Sequence, residues 1–153
     1  MPLYYATISS PIGEMVLTSY GSTLNGLTLG DPPPEGAVLD WGTLKPFLDE
    51  MKEYLAGERR TFSFRADQPG TDFQQRVWNE LTNIPFGETI SYAELARRIG
   101  QPTASRAVGS ANGKNQIAVV IPCHRVIASG GKLGGYGGGL WRKEWLLNLE
   151  SQT

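Results

Sequence analysis

The chain has 153 residues, of which 40% are hydrophobic, and its formal net charge is -1. One cysteine excludes an internal disulfide framework, which fits a reducing compartment, and one cysteine with one histidine excludes a tetrahedral zinc site built from sulfur and imidazole. We find no leading apolar segment of signal-peptide type and no membrane-length apolar stretch, so we expect a cytoplasmic protein without a membrane partner.

The charges are unevenly distributed along the chain. Residues 1–66 hold five basic and eight acidic side chains, whereas residues 67–153 hold nine basic and seven acidic ones. The stretch between Leu95 and Lys143 contains eight basic residues and no acidic one. Such a stretch suits a face that binds a polyanion, although a solvated basic face paired with the acidic residues of the first half explains it equally well.

The first 66 residues predict a small α/β supporting domain. Short segments rich in Tyr, Ile, Val, Leu and Thr alternate with turns that contain Gly or Pro, which predicts an antiparallel meander. The predicted strands are residues 3–8, 15–19 and 24–29, with residues 61–64 as a further candidate. Apolar residues at helical spacing predict a helix from Trp41 to Ala56, with Gly57 at its C-terminal cap. No residue pattern in these 66 residues predicts a catalytic site.

Residues 67–153 predict a second, mostly helical domain. Thr71 or Asp72 is the expected cap of its first helix. The Ser-x-x-Glu pattern that begins at Ser91 is a capping box for a second helix, which we expect to extend through Ile99.

A third helix is predicted over residues 104–111, with Thr103 as its cap. Two helices joined by a brief glycine-containing turn are typical of the helix-turn-helix, which places its second member against DNA. Apart from Arg106 and Val108, the side chains of this helix are small. A major-groove reader needs several long polar side chains, so the composition favours a shape-based or minor-groove contact with one inserted arginine. Close helix packing with a solvated Arg106 explains the composition equally well.

Residues 119–127 hold the cysteine and the histidine side by side between two apolar triplets. The apolar run predicts a buried strand that ends at Pro122, because proline has no amide proton for a sheet ladder. Neighbouring side chains of a strand face opposite sides, so Cys123 and His124 act together only if the backbone turns or a water bridges them. A nucleophilic thiolate beside a base is one interpretation, and a structural cysteine beside a surface histidine is the other.

The segment over residues 128–139 is rich in glycine, which indicates a flexible wing or the lip of a pocket. It contains no nucleotide-binding pattern. Trp141, Trp145 and Leu149 are spaced by four residues, which predicts a terminal helix ending at Glu150. We expect the tryptophans to pack in a core.

Taken together, these residues resemble the O6-alkylguanine-DNA alkyltransferases, also known as the methylated-DNA–protein-cysteine methyltransferase family. The most specific match is the sequence Pro-Cys-His-Arg-Val at residues 122–126, with Arg-Ala-Val-Gly upstream at residues 106–109. The resemblance covers the second half closely and the first half only in element order. Other matching segments are residues 73–78, 84–89 and 91–96, Asn115, Gly135-Tyr136, and residues 143–147 with Glu150.

The resemblance implies a fold and an activity. The implied fold is a ribonuclease-H-like α/β domain over residues 1–66 followed by a winged helix-turn-helix domain over residues 67–153. By resemblance, Cys123 accepts an alkyl group from O6-alkylguanine in a base flipped out of the duplex, with O4-alkylthymine as a second candidate lesion. Each molecule acts once and needs no cofactor or metal. The implied partner is double-stranded DNA, bound through its minor groove by a monomer in the nucleoid.

The resemblance also implies catalytic roles for individual residues. His124 is the base, acting on Cys123 through a water, and Glu150 holds its imidazole tautomer. Tyr92 helps to rotate the target nucleotide and donates a proton to the leaving guanine. Asn115 braces the turns of the active site.

Further residues are implied to contact DNA or the base. Arg106 is the arginine finger that fills the gap in the base stack. The helix around it lies in the minor groove through small residues, namely Ala104, Ser105, Ala107 and Gly109. The base pocket is lined by the backbone of Cys123 and Val126 and by the loop Tyr136-Gly137-Gly138.

Two positions depart from the family pattern, and three alternative functions remain. Gln116 stands where many members have proline, and Gly137 stands where some have serine. The alternatives are a lesion sensor that transfers nothing, a winged-helix transcription factor, and a Cys-His hydrolase. Because members of the sensor group replace the cysteine, the presence of Cys123 argues against a sensor.

Overall fold

The computed structural model describes residues 2–152, which divide into two compact units. The first unit contains the chain up to Gln68 together with residues 116–120. The second contains Pro69–Asn115 and the chain from Ile121 onward. The division therefore falls two residues after the border that the sequence suggested. No helix within residues 2–152 is long and apolar enough to cross a membrane.

The first unit is built on a four-stranded sheet, which confirms the predicted α/β class. Its strands are β1 (Tyr4–Ser10), β2 (Gly13–Ser19), β3 (Leu24–Leu29) and β4 (Val38–Leu39), in the order β3-β2-β1-β4. The first three form the predicted antiparallel meander, and β4 pairs with β1 in parallel.

One helix covers this sheet. Helix α1 (Trp41–Leu55) begins where the Asp40 side chain accepts a hydrogen bond from the Thr43 amide at 3.0 Å. Its apolar residues recur at helical spacing and are buried against β1 and β2. The buried face consists of Leu44, Phe47, Leu48, Met51 and Tyr54. Residues 61–64 are not a strand, so that prediction is wrong; Phe62 and Phe64 are held by ring contacts with Tyr54 and Phe47 instead.

The predicted strand over residues 119–121 is also wrong. Residues 116–120 make one isolated parallel bridge, between Ile117 and Leu27, and then turn. Val119 has a φ of +70°, which is a rare conformation for a β-branched residue and ends any strand there. Its side chain is buried without a strand, so burial of the apolar run did not require sheet pairing.

The second unit begins with helix α2 (Asp72–Leu81), which starts with a capping box. The Thr71 side chain accepts from the Gln74 amide at 3.1 Å, and the Gln74 side chain accepts from the Thr71 amide at 2.9 Å. Two of the free amides at the helix start are thereby satisfied. Trp78 of this helix is buried and donates from Nε1 to the carbonyl of Ala111 at 2.9 Å.

Two shorter helices follow. Strand β5 (Ile90–Ser91) leads directly into α3 (Tyr92–Arg98), whose amide at Glu94 donates to the predicted cap, Ser91, at 3.0 Å. Helix α4 (Ser105–Gly113) packs against α2 and α3. Its N-cap residue is Ala104 and no side chain caps it, so the prediction that Thr103 is the cap is wrong.

The unit ends with a short sheet and a terminal helix. A 3-10 turn (Cys123–Arg125) leads into β6 (Val126–Ile127), which pairs with β5 in parallel, and a second 3-10 turn (Ser129–Gly131) follows. Helix α5 (Leu140–Gln152) closes the described chain.

The buried face of α5 is made of Lys143, Leu146 and Glu150. Trp141 is 53% exposed, so the expectation that it packs in a core is wrong. Its ring instead lies 4.6 Å from the guanidinium carbon of Arg142.

Candidate active site

Cys123 lies at the first residue of the 3-10 turn that follows Pro122. The Cys123 amide donates to the carbonyl of Ile121 at 2.8 Å, and the Arg125 amide donates to that of Pro122 at 3.0 Å. The thiol is free and 7% exposed. The backbone therefore turns at the thiol, which removes the requirement that the Cys123 and His124 side chains face opposite sides of a strand.

His124 is completely buried and is joined to a buried carboxylate. Its Nε2 lies 2.7 Å from Oε2 of Glu150, which belongs to α5. Arg125 contacts the same carboxylate with two donors, Nε to Oε1 at 2.8 Å and Nη2 to Oε2 at 2.9 Å. The third guanidinium nitrogen donates to the carbonyl of Ile84 at 2.8 Å. Glu150 thus holds the histidine and the arginine in fixed positions.

The ionisation of these groups defines the tautomer of His124. Burial opposes the charge of Glu150, but the hydrogen bonds with His124 and Arg125 and the positive charge of Arg125 outweigh it and hold its pKa far below the usual range. Burial lowers the pKa of His124, so the ring is neutral at neutral pH. A neutral imidazole has one N–H, and an ionised carboxylate only accepts, so the proton lies on Nε2. Nδ1 is left as a proton acceptor.

Two side chains in or beside the 3-10 turn each have a buried polar atom without a protein partner among residues 2–152. The atoms are Nδ1 of His124 and Oδ1 of Asn112. The other end of the Asn112 amide donates to the carbonyl of Cys123 at 3.3 Å, which places that side chain beside the turn. Buried polar atoms of this kind are normally satisfied by an ordered water.

Asn115 connects the thiol to the preceding turn. Its Nδ2 donates to the carbonyl of Ile121 at 2.8 Å. Burial raises the pKa of the Cys123 thiol, while a hydrogen bond with the Asn115 side chain and the positive charge of Lys143 act in the opposite direction. The site therefore keeps the resting thiol protonated and holds groups that favour the anion.

Tyr92, the first residue of α3, lies between α4 and the glycine-rich segment. A Cβ on Gly109 of α4 would meet its ring at 3.7 Å, and a Cβ on Gly134 would meet its ring at 3.1 Å and its hydroxyl at 3.2 Å. Burial raises the pKa of Tyr92, and the negative charge of Cys123 raises it further. The phenol is therefore a protonated donor, and glycine at residue 134 leaves room for it.

The glycine-rich segment is held by two basic residues of α5. Nζ of the buried Lys143 donates to the carbonyls of Val126, at 2.7 Å, and of Leu133 and Gly135. Arg142 donates from Nη1 to the carbonyl of Gly138 at 2.6 Å.

Two residues of the expected pocket loop have distinct surroundings. The hydroxyl of Tyr136 is buried without a protein partner among the described residues, and burial raises its pKa. A Cβ on Gly137 would meet nothing within 4 Å. The loop therefore has a buried hydroxyl on the half-buried Tyr136, followed by an exposed glycine.

Helix α4 presents Arg106 to solvent. The Arg106 and Ala107 side chains are exposed, whereas Val108 is fully buried. Ala104, Ser105 and Gly109 are partly buried. One face of the helix is therefore packed and the other is smooth and accessible apart from the single arginine.

The basic stretch is less uniform than its sequence suggests. Arg97 and Arg98 pair with Glu94, and Arg98 also lies 3.8 Å from Glu80. Arg125 and Lys143 are buried. Among the eight basic residues of this stretch, all of which the structure describes, three are exposed and form no ion pair: Arg106, Lys114 and Lys132.

Four residues of this site were not singled out from the sequence: Asn112, Arg125, Gly134 and Lys143. Arg125 and Lys143 were counted as part of a charged face. Lys143 is three residues before Leu146 and seven before Glu150, so helical spacing places it on the buried face of α5. That spacing was the available signal. Asn112 and Gly134 have no comparable signal, because each depends on contacts between separate segments.

Comparison with known protein families gives consistent matches for both parts of the chain. The model described as "6-O-methylguanine DNA methyltransferase, ribonuclease-like domain" matches residues 3–68. The model described as "6-O-methylguanine DNA methyltransferase, DNA binding domain" matches residues 72–152.

Individual relatives match over nearly the full length. The methylated-DNA–protein-cysteine methyltransferase of Mycobacterium tuberculosis is 49% identical over 152 residues, which cover 97% of this chain and 92% of that protein. The protein of the same name from Methanosarcina acetivorans is 44% identical, with 97% and 98% covered. The crystal structure of the M. tuberculosis OGT in complex with DNA has a TM-score of 0.93 at 49% identity, with 97% and 93% covered. On these grounds, the chain belongs to the 6-O-methylguanine DNA methyltransferase family.

Proposed function

We propose that this protein repairs DNA by transferring an alkyl group from the O6 atom of a damaged guanine to Sγ of Cys123. The observation that carries this proposal is a buried free thiol beside a neutral histidine, whose Nε2 is held by a buried carboxylate at 2.7 Å, in a chain of this family. The arrangement contains a nucleophile, a base and an orienting group in the order that nucleophilic catalysis requires.

The damaged base must leave the duplex before the thiol can reach it, since the alkyl carbon is inaccessible inside the stack. Helix α4 enters the minor groove with its small residues, and Arg106 fills the gap that the extruded nucleotide leaves. The exposure of Arg106 on an otherwise smooth face supports this role. Side chains inserted between base steps are the usual means by which minor-groove proteins open a stack.

Activation of the thiol uses a water between Cys123 and His124. The unpartnered Nδ1 of His124 accepts a proton from the water, which takes the thiol proton at the same time. Oδ1 of Asn112 is a second acceptor for that water. Asn115 holds the turn from which the thiol projects and stabilises its anion.

The transfer itself is a single displacement. Sγ attacks the alkyl carbon, the bond from carbon to O6 breaks, and its electron pair stays on the guanine. The guanine takes a proton from the hydroxyl of Tyr92, and the proton gained by His124 balances the one that Tyr92 loses. Because the thioether is stable, one protein molecule performs one repair and is consumed.

The base pocket is formed by the backbone of Cys123 and Val126 and by the loop Tyr136-Gly137-Gly138. Gly137 is exposed, and a Cβ there would meet nothing within 4 Å, so this position adds no side-chain contact to the loop. One chain supplies every group named here, which supports action as a monomer on the cell's DNA, in the cytoplasm or nucleoid.

The experiment that tests this function counts alkyl groups. The protein is incubated with an excess of duplex DNA that contains O6-methylguanine, and repaired guanine is measured against protein at several times. The proposal predicts that repair stops at one guanine per protein molecule. Continued turnover would indicate a hydrolase, and lesion binding without any repair would indicate a sensor; either result would reject the proposal.

A further inference from the structure

Gln68 is a buried glutamine whose side chain holds a backbone amide from a distant part of the chain. It is 4% exposed, and its Oε1 accepts a hydrogen bond from the amide of Gln116 at 2.8 Å. The Gln116 side chain is exposed and takes no part in this contact. The donated N–H belongs to the planar peptide between Asn115 and Gln116, and the hydrogen bond therefore fixes the orientation of that peptide.

The carbonyl side of Gln116 is held as well. Its oxygen accepts from the amide of Leu27 at 2.9 Å, and the amide of Ala118 donates to the carbonyl of Leu27 at 3.1 Å. Leu27 lies in the middle of β3, so its position is set by the sheet. The segment that begins at Gln116 is therefore restrained on both sides of its first residue, by Gln68 and by β3.

A short series of contacts leads from this peptide to the residue that carries the thiol. Asn115 precedes the peptide and donates from Nδ2 to the carbonyl of Ile121 at 2.8 Å. The same carbonyl accepts from the amide of Cys123 at 2.8 Å. The position of the Asn115 side chain follows from that of its backbone, so a restraint on the peptide also restrains the carbonyl that the Cys123 amide contacts.

Residue 116 is also one of the two positions that depart from the family pattern, in which many members have proline. A proline ring fixes its own φ at about −65° and carries no N–H, so it could not make the hydrogen bond to Gln68. In this chain the N–H is present and is bonded at 2.8 Å. The hydrogen bond to Gln68 therefore restrains a peptide that lacks the restraint of the ring.

We propose that Gln68 is a positioning residue for alkyl transfer, which holds Cys123 in its reactive place through Asn115. Gln68 fixes the peptide that follows Asn115, and Asn115 fixes the carbonyl to which the Cys123 amide is bonded. The inference rests on the proposed function for its purpose, whereas the hydrogen bonds themselves do not. Because Gln68 is buried, it is not available to bind DNA, and its loss should lower the rate of transfer rather than the affinity for DNA.

The test compares Gln68→Ala in two backgrounds, the unmodified chain and Gln116→Pro, which has no N–H to donate to Gln68. The rate of methyl transfer is measured in a single turnover at saturating duplex DNA that contains O6-methylguanine. The affinity for undamaged duplex DNA is measured separately by fluorescence anisotropy. Gln152→Ala, the same substitution at an exposed position, is the matched control and should change neither quantity.

In the unmodified chain we expect Gln68→Ala to slow transfer about tenfold at unchanged affinity, because misplaced reacting groups lower the rate of the chemical step. In the Gln116→Pro background the same change should slow transfer less than about twofold, since the contact is already absent. Equal slowing in both backgrounds, or no slowing in the unmodified chain, would overturn the proposal.

A further measurement uses the unmodified protein without DNA. Amide hydrogen exchange is followed by NMR at Gln116, and the hydrogen bond to Gln68 predicts exchange about a hundredfold slower than that of an unprotected amide. Exchange at the unprotected rate would overturn the proposal, whether or not the variants fold. Because this measurement involves no alkyl transfer, failure of the proposed function, seen as an absence of repair by the unmodified protein, is recognised separately.

Discussion

The carboxylate of Glu150 is shared between two neighbours with different consequences. Toward His124 it fixes the tautomer, since its ionised oxygen accepts the Nε2 proton at 2.7 Å. Toward Arg125 it neutralises a buried guanidinium through two hydrogen bonds. Glu150 therefore orients the imidazole while most of its charge is compensated by the arginine, which is consistent with a histidine that stays neutral in the resting protein.

Replacing Glu150 with glutamine should destabilise the protein, because Arg125 is then buried without a carboxylate. We expect a loss of about 3 kcal/mol or more in the free energy of unfolding at neutral pH, measured by urea denaturation. The pKa of Glu150 is lowered in the folded state, so its stabilisation is present above the ordinary glutamate pKa of about 4.3 and disappears as the pH falls below it. The variant should therefore lose less stability on acidification than the unmodified protein.

The control for that experiment is Glu144→Gln, an exposed position about 1.7 helix turns before Glu150 on the same helix. It should leave the free energy of unfolding nearly unchanged. Two results would contradict this expectation: the same loss of stability in both variants, or full acid sensitivity in Glu150→Gln. Either would mean that the ion pair between Glu150 and Arg125 does not stabilise the fold.

The two glycines near Tyr92 and the pocket should respond differently to alanine. Gly134 has a φ of +74°, and a Cβ there would press on the Tyr92 ring at 3.1 Å, so Gly134→Ala should cost about 1 kcal/mol or more and slow alkyl transfer. Gly137→Ala meets open space and should change stability by no more than about 0.5 kcal/mol. Thermal unfolding and transfer rates measured on both variants check this. Equal effects would argue against the close approach at Gly134.

Single residues were predictable where a rare residue type stands in a specific pattern. Cys123 and His124 are conspicuous because each is unique in the chain, and Glu150 followed from the family resemblance. Lys143 was hidden because a lysine in a basic stretch is normally a surface charge. Only its position on the buried face of α5, and the three carbonyls around it, distinguish it.

At the scale of helices and strands, two threonines that look alike in the sequence differ in the fold. Thr71→Ala removes a cap whose side chain accepts from the Gln74 amide at 3.1 Å, and should cost about 1 kcal/mol. Thr103→Ala should cost almost nothing, because no side chain caps α4. Chemical denaturation of the two variants compares them directly. A larger loss for Thr103→Ala would contradict the assigned helix starts.

Elements with a long periodic pattern were predicted well, and short apolar runs were not. Helix α1 and strand β3 lie where amphipathic spacing and turn residues placed them. Residues 119–121 failed because apolar residues can be buried in a turn as well as in a strand, and the sequence does not reveal the left-handed backbone at Val119. That turn is what allows the chain to present Cys123 at the start of a 3-10 turn.

At the scale of the whole molecule, fewer basic side chains are available to bind DNA than the eight in the basic stretch. Arg97 and Arg98 are paired with acidic residues, and Arg125 and Lys143 are buried. Three exposed, unpaired side chains remain in the described part of the basic stretch, namely Arg106, Lys114 and Lys132.

The salt dependence of DNA binding should reflect that smaller number. Neutralising about three phosphates gives a slope of about −3 when the logarithm of the binding constant is plotted against the logarithm of salt concentration. Fluorescence anisotropy with undamaged duplex DNA measures it. A slope near −7 would mean that the arginines that are buried or paired with acidic residues also contact phosphates. A flat line would reject the basic face as the DNA-binding surface.

The central claim is that Cys123 itself receives the alkyl group. After incubation with duplex DNA containing O6-methylguanine, the protein is digested. The mass of the peptide that contains Cys123 is then measured by mass spectrometry. We predict that this peptide gains the mass of one methyl group on the cysteine, and that Cys123→Ala binds the same DNA without any change in mass. An unmodified Cys123 peptide from protein that has bound the damaged DNA would contradict the account.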